Sequence, residues 1–353
     1  MKFFSVCSFI ALSVAAWGFG VLPMPRDMAF SALVLDEATG KPAPGIPVRT
    51  FLSDVPSVWG GASVDRERYL VTDGKGMFHC SGSSNAARAG FRADVQAGYY
   101  APPTWHFCAT GFSDNVMSRK WEPYGEVVTV MLQRVEHPIP LKVKTAEILN
   151  DGRNGRPAFD GGDVELRYDL LAGDWLPPHG SGTTADLVFR ATFRTNALVH
   201  VTSKIVAPCY DLVGEVLFPG DGNGLLAQTP PKTSGIKLRV APESGYVPSA
   251  VVRTGRRKSI VGPNEYTKDY SESDPDRCYF LRVRTVKDEK GRIVSAHYGK
   301  IYGDFDFKVL ARRGFGGVSF LYYLNPVPLD RNLEWDCRTN LFPDQAVAGP
   351  RRP

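Results

Sequence analysis

Carboxylates are the residues of this chain best placed to do chemistry. Asp304 and Asp306 flank Phe305, and Asp330, Glu334 and Asp336 crowd the segment Tyr322-Tyr323-Leu324-Asn325-Pro326-Val327-Pro328-Leu329-Asp330-Arg331-Asn332-Leu333-Glu334-Trp335-Asp336. Polysaccharide hydrolysis uses two such groups, one as acid and one as base or nucleophile, about 5 to 9 Å apart. Residues two apart on a strand share a face, so Asp304 and Asp306 form a pair if residues 303–307 are extended. Against this, exposed strand carboxylates are common, and Asp330, Arg331 and Asn332 can tie a loop down by charge-assisted hydrogen bonds. Aromatic rings offer a softer chemistry. Trp175 sits in the loop-like stretch Gly173-Asp174-Trp175-Leu176-Pro177-Pro178, and Tyr298 and Tyr302 surround Gly299-Lys300. Such rings can stack on a sugar face or anchor a protein partner if exposed, and otherwise fill a core.

Other schemes find no support. No Gly-x-Ser-x-Gly elbow occurs. Gly74-Lys75 and Gly299-Lys300 are followed by Gly76 and Ile301, not by the Ser or Thr of a phosphate loop. The 6 histidines are scattered singly, and His137 reads as an ordinary exposed side chain. Asp221-Gly222-Asn223-Gly224 and Asp160-Gly161-Gly162-Asp163 fall short of a calcium loop and read as turns. Neither a metal nor a cofactor is expected.

The N-terminus points to export. Met1-Lys2 gives a positive start, residues 3–16 are apolar apart from three serines, and Ser13-Val14-Ala15 is a small-x-small site. Residues 1–20 therefore read as a cleaved signal peptide, with an uncleaved anchor as the alternative. Pro23 and Pro25 stop a helix near the about 20 residues that a span needs. Cys7 lies too early for a lipoprotein cysteine, and no later stretch is apolar enough for a helical span. The expected location is secreted or periplasmic.

Composition agrees with that class. The chain has 353 residues and a net charge of +5, falling to +4 without the signal segment because Lys2 is its sole charged residue. So weak and dispersed a charge gives no reason to expect nucleic acid. The densest basic run, Arg256-Arg257-Lys258, reads as a solvated loop. Gly 35 and Pro 27 imply many turns and short strands. Of 6 cysteines, Cys7 belongs to the signal segment. Cys80 and Cys108 are expected to pair as a disulfide, in preference to a zinc set with His79 and His106, because adjacent strand residues face opposite ways. Cys209, Cys278 and Cys337 are left open.

Apolar alternation with turn signals marks the elements. Strands are expected at residues 29–35, 46–52, 126–132, 164–168, 187–193, 236–240 and 318–324. Hairpins are expected for residues 68–72 with 77–81 about Asp73-Gly74-Lys75-Gly76, and for 280–286 with 292–296 about Lys287-Asp288-Glu289-Lys290-Gly291. Glu136-His137-Pro138-Ile139-Pro140 reads as a semi-rigid proline linker.

Thr39-Gly40-Lys41-Pro42 with Gly45-Ile46-Pro47-Val48, then Thr72-Asp73-Gly74-Lys75-Gly76-Met77-Phe78 and Ala97-Gly98-Tyr99-Tyr100, resembles the carboxypeptidase regulatory-like, or transthyretin-like, domain family. That resemblance covers about a third of the chain. It implies a seven-stranded sandwich that accompanies enzymes, adhesins or transporters, and it brings no catalytic residues. The segment from Tyr322 to Asp336 resembles the C-terminal part of uncharacterised exported bacterial proteins that carry the same module. The fold expected is all-β: a signal peptide at 1–20, a seven-stranded β-sandwich at 25–134, a linker at 135–140, a larger β-sandwich or jelly-roll-like domain at 141–343 and a disordered tail at 344–353. The function expected is a non-catalytic exported module that binds glycan or a surface protein. The alternative is an exported polysaccharide hydrolase using paired carboxylates of the second domain.

Overall fold

The computed structural model describes residues 26–54, 64–84, 88–93, 98–100, 105–108, 111–112, 120–149, 164–200, 206–228, 238–261, 264–274, 277–310 and 314–343. The signal segment and the tail at 344–353 lie outside these residues. The chain divides into two compact units, Met1–Arg134 and Val135–Pro353. Among the described residues every regular element is a strand, so the protein is all-β.

The first unit contains β1 (Arg26–Asp36), β2 (Pro47–Asp54), β3 (Val64–Val71), β4 (Met77–Ser84), β5 (Arg88–Ala93), β6 (Trp105–Cys108), β7 (Gly111–Phe112), β8 (Trp121–Glu122) and β9 (Glu126–Leu132). A three-stranded sheet runs β4-β1-β9 and a four-stranded sheet runs β3-β2-β5-β6, with β7 and β8 as a separate ribbon. Alternate residues Met28, Phe30, Ala32 and Val34 of β1 are buried against Val48 and Leu52 of β2 and Phe91 of β5, so the two sheets close one core.

Two expectations fail in this unit. Asp73-Gly74-Lys75-Gly76 is a tight turn but not a hairpin: β3 pairs with β2, whereas β4 pairs with β1 in the other sheet. The turn is built as read, with the Asp73 carboxylate accepting from the Lys75 and Met77 amides. Gly76 has φ 71°, and a Cβ there would meet the Val34 carbonyl at 2.7 Å, so the chain passes too close to β1 for any side chain. Between β3 and β4 the chain passes from one sheet to the other. The expected Cys80–Cys108 disulfide is also not formed. Cys80 faces the core from β4 as a free thiol, its pKa raised by burial. Cys108 belongs to β6 of the opposite sheet, and its side chain lies outside the described residues.

Buried Asp36, at the end of β1, locks the edge of this sandwich. Its carboxylate accepts from the Arg134 guanidinium (2.8 Å), the Tyr99 hydroxyl (3.0 Å) and the Thr39 amide (3.0 Å). Burial alone would raise its pKa, but Arg134, Thr39 and Tyr99 outweigh it and hold the group at about 2, against an ordinary 3.8. A depressed folded-state pKa contributes stability that is full above 3.8 and disappears as pH falls towards 2. Thermal unfolding of the protein between pH 5 and about pH 2 should show this loss, and Asp36→Asn should be less stable at pH 7 with a flatter acid limb.

The second unit contains β10 (Ile139–Leu149), β11 (Val164–Asp169), β12 (Asp174–Trp175), β13 (Leu187–His200), β14 (Val206–Leu217), β15 (Gly224–Gln228), β16 (Ser249–Val261), β17 (Asn264–Ser271), β18 (Cys278–Lys287), β19 (Ile293–Tyr302), β20 (Asp306–Leu310), β21 (Gly314–Asn325) and β22 (Trp335–Asn340). One sheet runs β15-β18-β19-β21-β10-β22, with β20 also on β21; the other runs β12-β11-β13-β14-β16-β17. The hairpin read from residues 280–296 is the β18–β19 pair, with Val283 opposite His297. Tyr279, Leu281 and Val283 of β18 face the second sheet in a core shared with Leu166, Phe189 and Leu212. Cys278 and Phe280 face the other way, into a second core closed by Leu238, Ala241, Leu333 and Trp335. The larger sheet is thus buried on both faces, one by a sheet and one by irregular chain.

Three local readings change here. Arg256-Arg257-Lys258 is not a loop but the middle of β16. Arg256 pairs with Asp269 of β17 at 2.6 Å, and the Arg257 guanidinium lies over the Tyr270 ring at 4.3 Å, so cross-strand partners stabilise a run that looks solvated. The strand expected at 236–240 reduces to one bridge between Val240 and Asn332, while Ile236 and Lys237 lie outside the described residues. Residues 136–140 are anchored within the second unit: Ile139 and Pro140 open β10, and the Ile139 amide donates to the Glu334 carbonyl at 2.8 Å.

Candidate functional site

The densest polar chain segment becomes the wall of a groove. β21 ends at buried Asn325, whose side-chain amide donates to the Asp330 carboxylate and the Asn332 carbonyl, each at 2.9 Å. Its carbonyl oxygen accepts from the Val327 amide at 2.9 Å. Asp330 also accepts from the Asn332 amide at 3.0 Å, and Asn332 from the Glu334 amide at 3.0 Å. Successive Asn and Asp side chains thus bond backbone two residues on, the local geometry these residue types favour. The turn carries Leu329 at φ 62°, held by a hydrogen bond from its amide to the Ala296 carbonyl at 2.8 Å.

Two other stretches close on this one. The Glu334 carboxylate, almost fully buried, accepts from the Glu136 amide at 2.8 Å and the His137 amide at 2.6 Å. Asn332 adds a bond to the His137 carbonyl at 2.8 Å. Arg239-Val240-Ala241 crosses on the other side: the Leu333 amide donates to the Arg239 carbonyl at 2.6 Å, and the Ala241 amide to the Arg331 carbonyl at 2.9 Å. Between them lies a groove of about 350 Å³ with Glu136, His137, Arg239 and Val240 among its lining groups. Asp330, Arg331, Asn332 and Glu334 supply the rest of its lining.

The groove's two cations are held by acids more exposed than themselves. Arg239, 13% exposed, pairs with the Glu136 carboxylate, 48% exposed, at 3.0 Å. Arg331, 34% exposed, pairs with Glu243, 80% exposed, at 3.0 Å, and donates to the Ala241 carbonyl at 3.0 Å. Pairs with so exposed a partner contribute about 1 kcal/mol or less and exchange readily.

The carboxylates singled out in the sequence separate. Asp330 and Glu334 line this groove; Asp304, Asp306 and Asp336 do not. Asp304 and Asp306 do not share a strand face, because β20 starts only at Asp306. Asp304 is buried and accepts from the Tyr279 hydroxyl (2.7 Å), the Phe305 amide (2.9 Å) and Arg277 (3.1 Å). Asp306 is 64% exposed and 4.0 Å from Lys308. Asp336 caps a turn, accepting from the Arg338 and Thr339 amides at 2.8 and 2.7 Å. The paired-carboxylate expectation therefore fails at Asp304 and Asp306 for want of a shared face.

The aromatic expectation fails as well, because all three rings belong to cores. Trp175 is buried edge-on against Tyr168 at 4.8 Å, with its ring N–H donating to the Glu147 carbonyl at 3.3 Å. Tyr298 and Tyr302 are buried on the β19 face beneath residues 238–241 and 333–335, and Tyr302 meets Tyr323 edge-on at 5.6 Å. Cys209, Cys278 and Cys337 are not joined in disulfides.

The residue between those tyrosines was not foreseen. Lys300 is fully buried, its ammonium 5.2 and 5.3 Å from the Tyr302 and Tyr323 ring centroids and 3.3 Å from the Leu238 carbonyl that accepts from it. Burial lowers its pKa from 10.5 to about 7, against the opposing charges of Cys337 and Glu334. Arg239 and Glu136 were missed for another reason: Glu136 meets Glu334 from 198 residues away in sequence, and no local pattern joins them.

No protein-family model and no curated protein sequence matches the chain. Among solved structures, a crystal structure of a double mutant of the shaft pilin SpaA from Lactobacillus rhamnosus GG is similar at 11% identity and a TM-score of 0.20, over 57% of this chain and 90% of that one. So low a score transfers nothing to this chain beyond the match itself.

Two substitutions test the groove's supports. Glu334→Gln replaces one acceptor oxygen by a donor facing a backbone N–H, so it should cost about 2 kcal/mol of stability, read by thermal unfolding. For Lys300, the unfolded chain keeps its proton to 10.5 while the folded one releases it near 7. The folded state binds fewer protons over that window, so stability should rise with pH from 7 to about 10. Lys300→Met should remove that rise in melting curves taken across the window.

Proposed function

We propose that this chain is a non-catalytic exported binding module, with the groove beside Arg239 and Arg331 as its ligand site. One observation supports this most. Two of the three groove carboxylates are already held by amide N–H donors: Asp330 by Asn325 and Asn332, and Glu334 by two backbone amides. Their oxygens are already engaged within the fold, whereas a hydrolase must present a carboxyl to its substrate. The arginines, in contrast, are held through exposed and replaceable acids. Held acceptors and exchangeable cations suit recognition.

The signal-like residues 1–20 support a secreted or periplasmic location, and the regulatory-like motifs at Thr39–Val48 and Thr72–Phe78 support an accessory sandwich at 25–134. In this reading the first domain is a scaffold and the second, at 141–343, carries the ligand. Glycan is the favoured ligand because the groove presents hydrogen-bonding side chains around a small apolar patch at Val240, which is largely exposed. The experiment is a glycan array on the full exported chain, followed by incubation with every glycan retained and analysis for new reducing ends. Retention without cleavage is the expected result. Cleavage, or retention of no glycan at all, would overturn the proposal.

A further inference from the structure

Resting on the groove as a ligand site, we infer that it takes a hydroxylated carboxylate: a uronic-acid unit of an acidic polysaccharide. Arg239 and Arg331 reach it from two antiparallel stretches joined at the Val240–Asn332 bridge, so both residues line one cavity. Planar guanidinium forks match carboxylates in geometry and charge. The present partners are themselves carboxylates, Glu136 and Glu243, each at 3.0 Å. Internal carboxylates therefore engage the guanidinium groups a ligand carboxylate would take, Glu136 from within the lining and Glu243 from outside it. Glu243, at 80% exposure, leaves at little cost.

A carboxylate alone does not answer the rest of the lining. Asp330 accepts one bond on each oxygen, from Asn332 and Asn325, and an ionised carboxylate has about four acceptor positions. What remains at Asp330 takes donors only, and sugar hydroxyls are donors. Val240, exposed beside it, offers an apolar surface to the C–H face of a ring. The ligand thus needs an acid group for the arginines, hydroxyl donors for Asp330 and one apolar face. A neutral sugar lacks the first, and a chain of acidic amino acids lacks the second. About 350 Å³ suits one or two sugar units and not a folded partner.

The test is calorimetric titration of the full exported chain with three probes of matched length: a galacturonate oligomer, a neutral galactose oligomer and a glutamate oligomer. Two variants accompany it, Arg331→Met and Glu243→Gln, both at partly or well exposed side chains. The galacturonate oligomer should bind at least about tenfold more tightly than either comparison probe, and Arg331→Met should cost about tenfold. Glu243→Gln should tighten uronate binding by about threefold, because it removes the internal competitor; a merely structural pair would give no gain. Circular dichroism of both variants confirms folding. If the neutral probe binds as well as the uronate and Arg331→Met weakens both, the ligand class is wrong while the groove stands as a site. If the glutamate oligomer binds as well, the hydroxyl argument fails. If no probe binds, or binding ignores Arg331 and Glu243, the inference falls; the wider glycan array then decides the reading beneath it.

Discussion

The Glu334 carboxylate is the contact on which the second unit's groove depends. It sits nearly without solvent and takes two backbone N–H groups from Glu136 and His137, at the point where the chain enters the unit. Without it those two amides would lose their charged acceptor. The same residue's backbone accepts from Ile139, which opens β10, and its amide is held by Asn332. One side chain therefore couples the start of the unit, the 325–334 turn and, through the Leu333–Arg239 backbone bond, the crossing segment. The groove is the space left where these three stretches meet.

Buried acids play the same part elsewhere, and their surroundings decide what each becomes. Arg284, at φ 54° in a register break of β18, donates to Asp186 at 2.9 and 3.0 Å and to Asp169 at 2.6 Å. Both acids are buried and both face the same guanidinium, yet their pKa values move apart. Burial raises Asp186 beyond what Arg284 and the Leu170 amide recover. Burial also works to raise Asp169, but the Ala172, Thr183 and Thr184 amides, with Arg284, outweigh it and lower the group. The number of backbone donors, more than the shared cation, sets the difference. Asp36 in the first unit is likewise lowered, accepting from an amide, a tyrosine hydroxyl and an arginine; the Asp304 carboxylate in the second accepts from the same three kinds of donor.

This habit explains what the sequence disclosed and what it hid. The β18–β19 hairpin was legible because alternation and the Lys287–Gly291 turn are local, and the apolar β21 and β9 were legible for the same reason. Arg256-Arg257-Lys258 was misread because Asp269 and the Tyr270 ring, which make it a strand, lie on the neighbouring β17. The Asp73–Gly76 turn was legible as a turn but not as a change of sheet, since β1, the strand that β4 pairs with, is remote in sequence. At the site, Asp330 and Glu334 announced themselves by density. The arginine on the opposite wall and the acid that holds it did not, because only tertiary pairing brings Arg239 and Glu136 beside them. Trp175, Tyr298 and Tyr302 looked available because a turn-rich context hides the fact that both faces of the larger sheet are covered.

Coverage of that second face also fixes the charge balance of the groove. Irregular chain, not another sheet, closes the core over β19, and it brings polar backbone with it. Lys300 can therefore be buried with the Leu238 carbonyl as its acceptor and two tyrosine rings as neighbours. Its pKa, brought to about 7, leaves it partly neutral at neutral pH. Near Glu334 it opposes the acid's charge without engaging a ligand, since it has no exposed surface. The cationic groups a ligand can reach are then Arg239 and Arg331, and the acids competing for them stand at the surface. In the proposed reading as a ligand site, such a groove favours exchange of one carboxylate for another over proton transfer, because Asp330 and Glu334 are engaged by donors and the arginines are permanent cations.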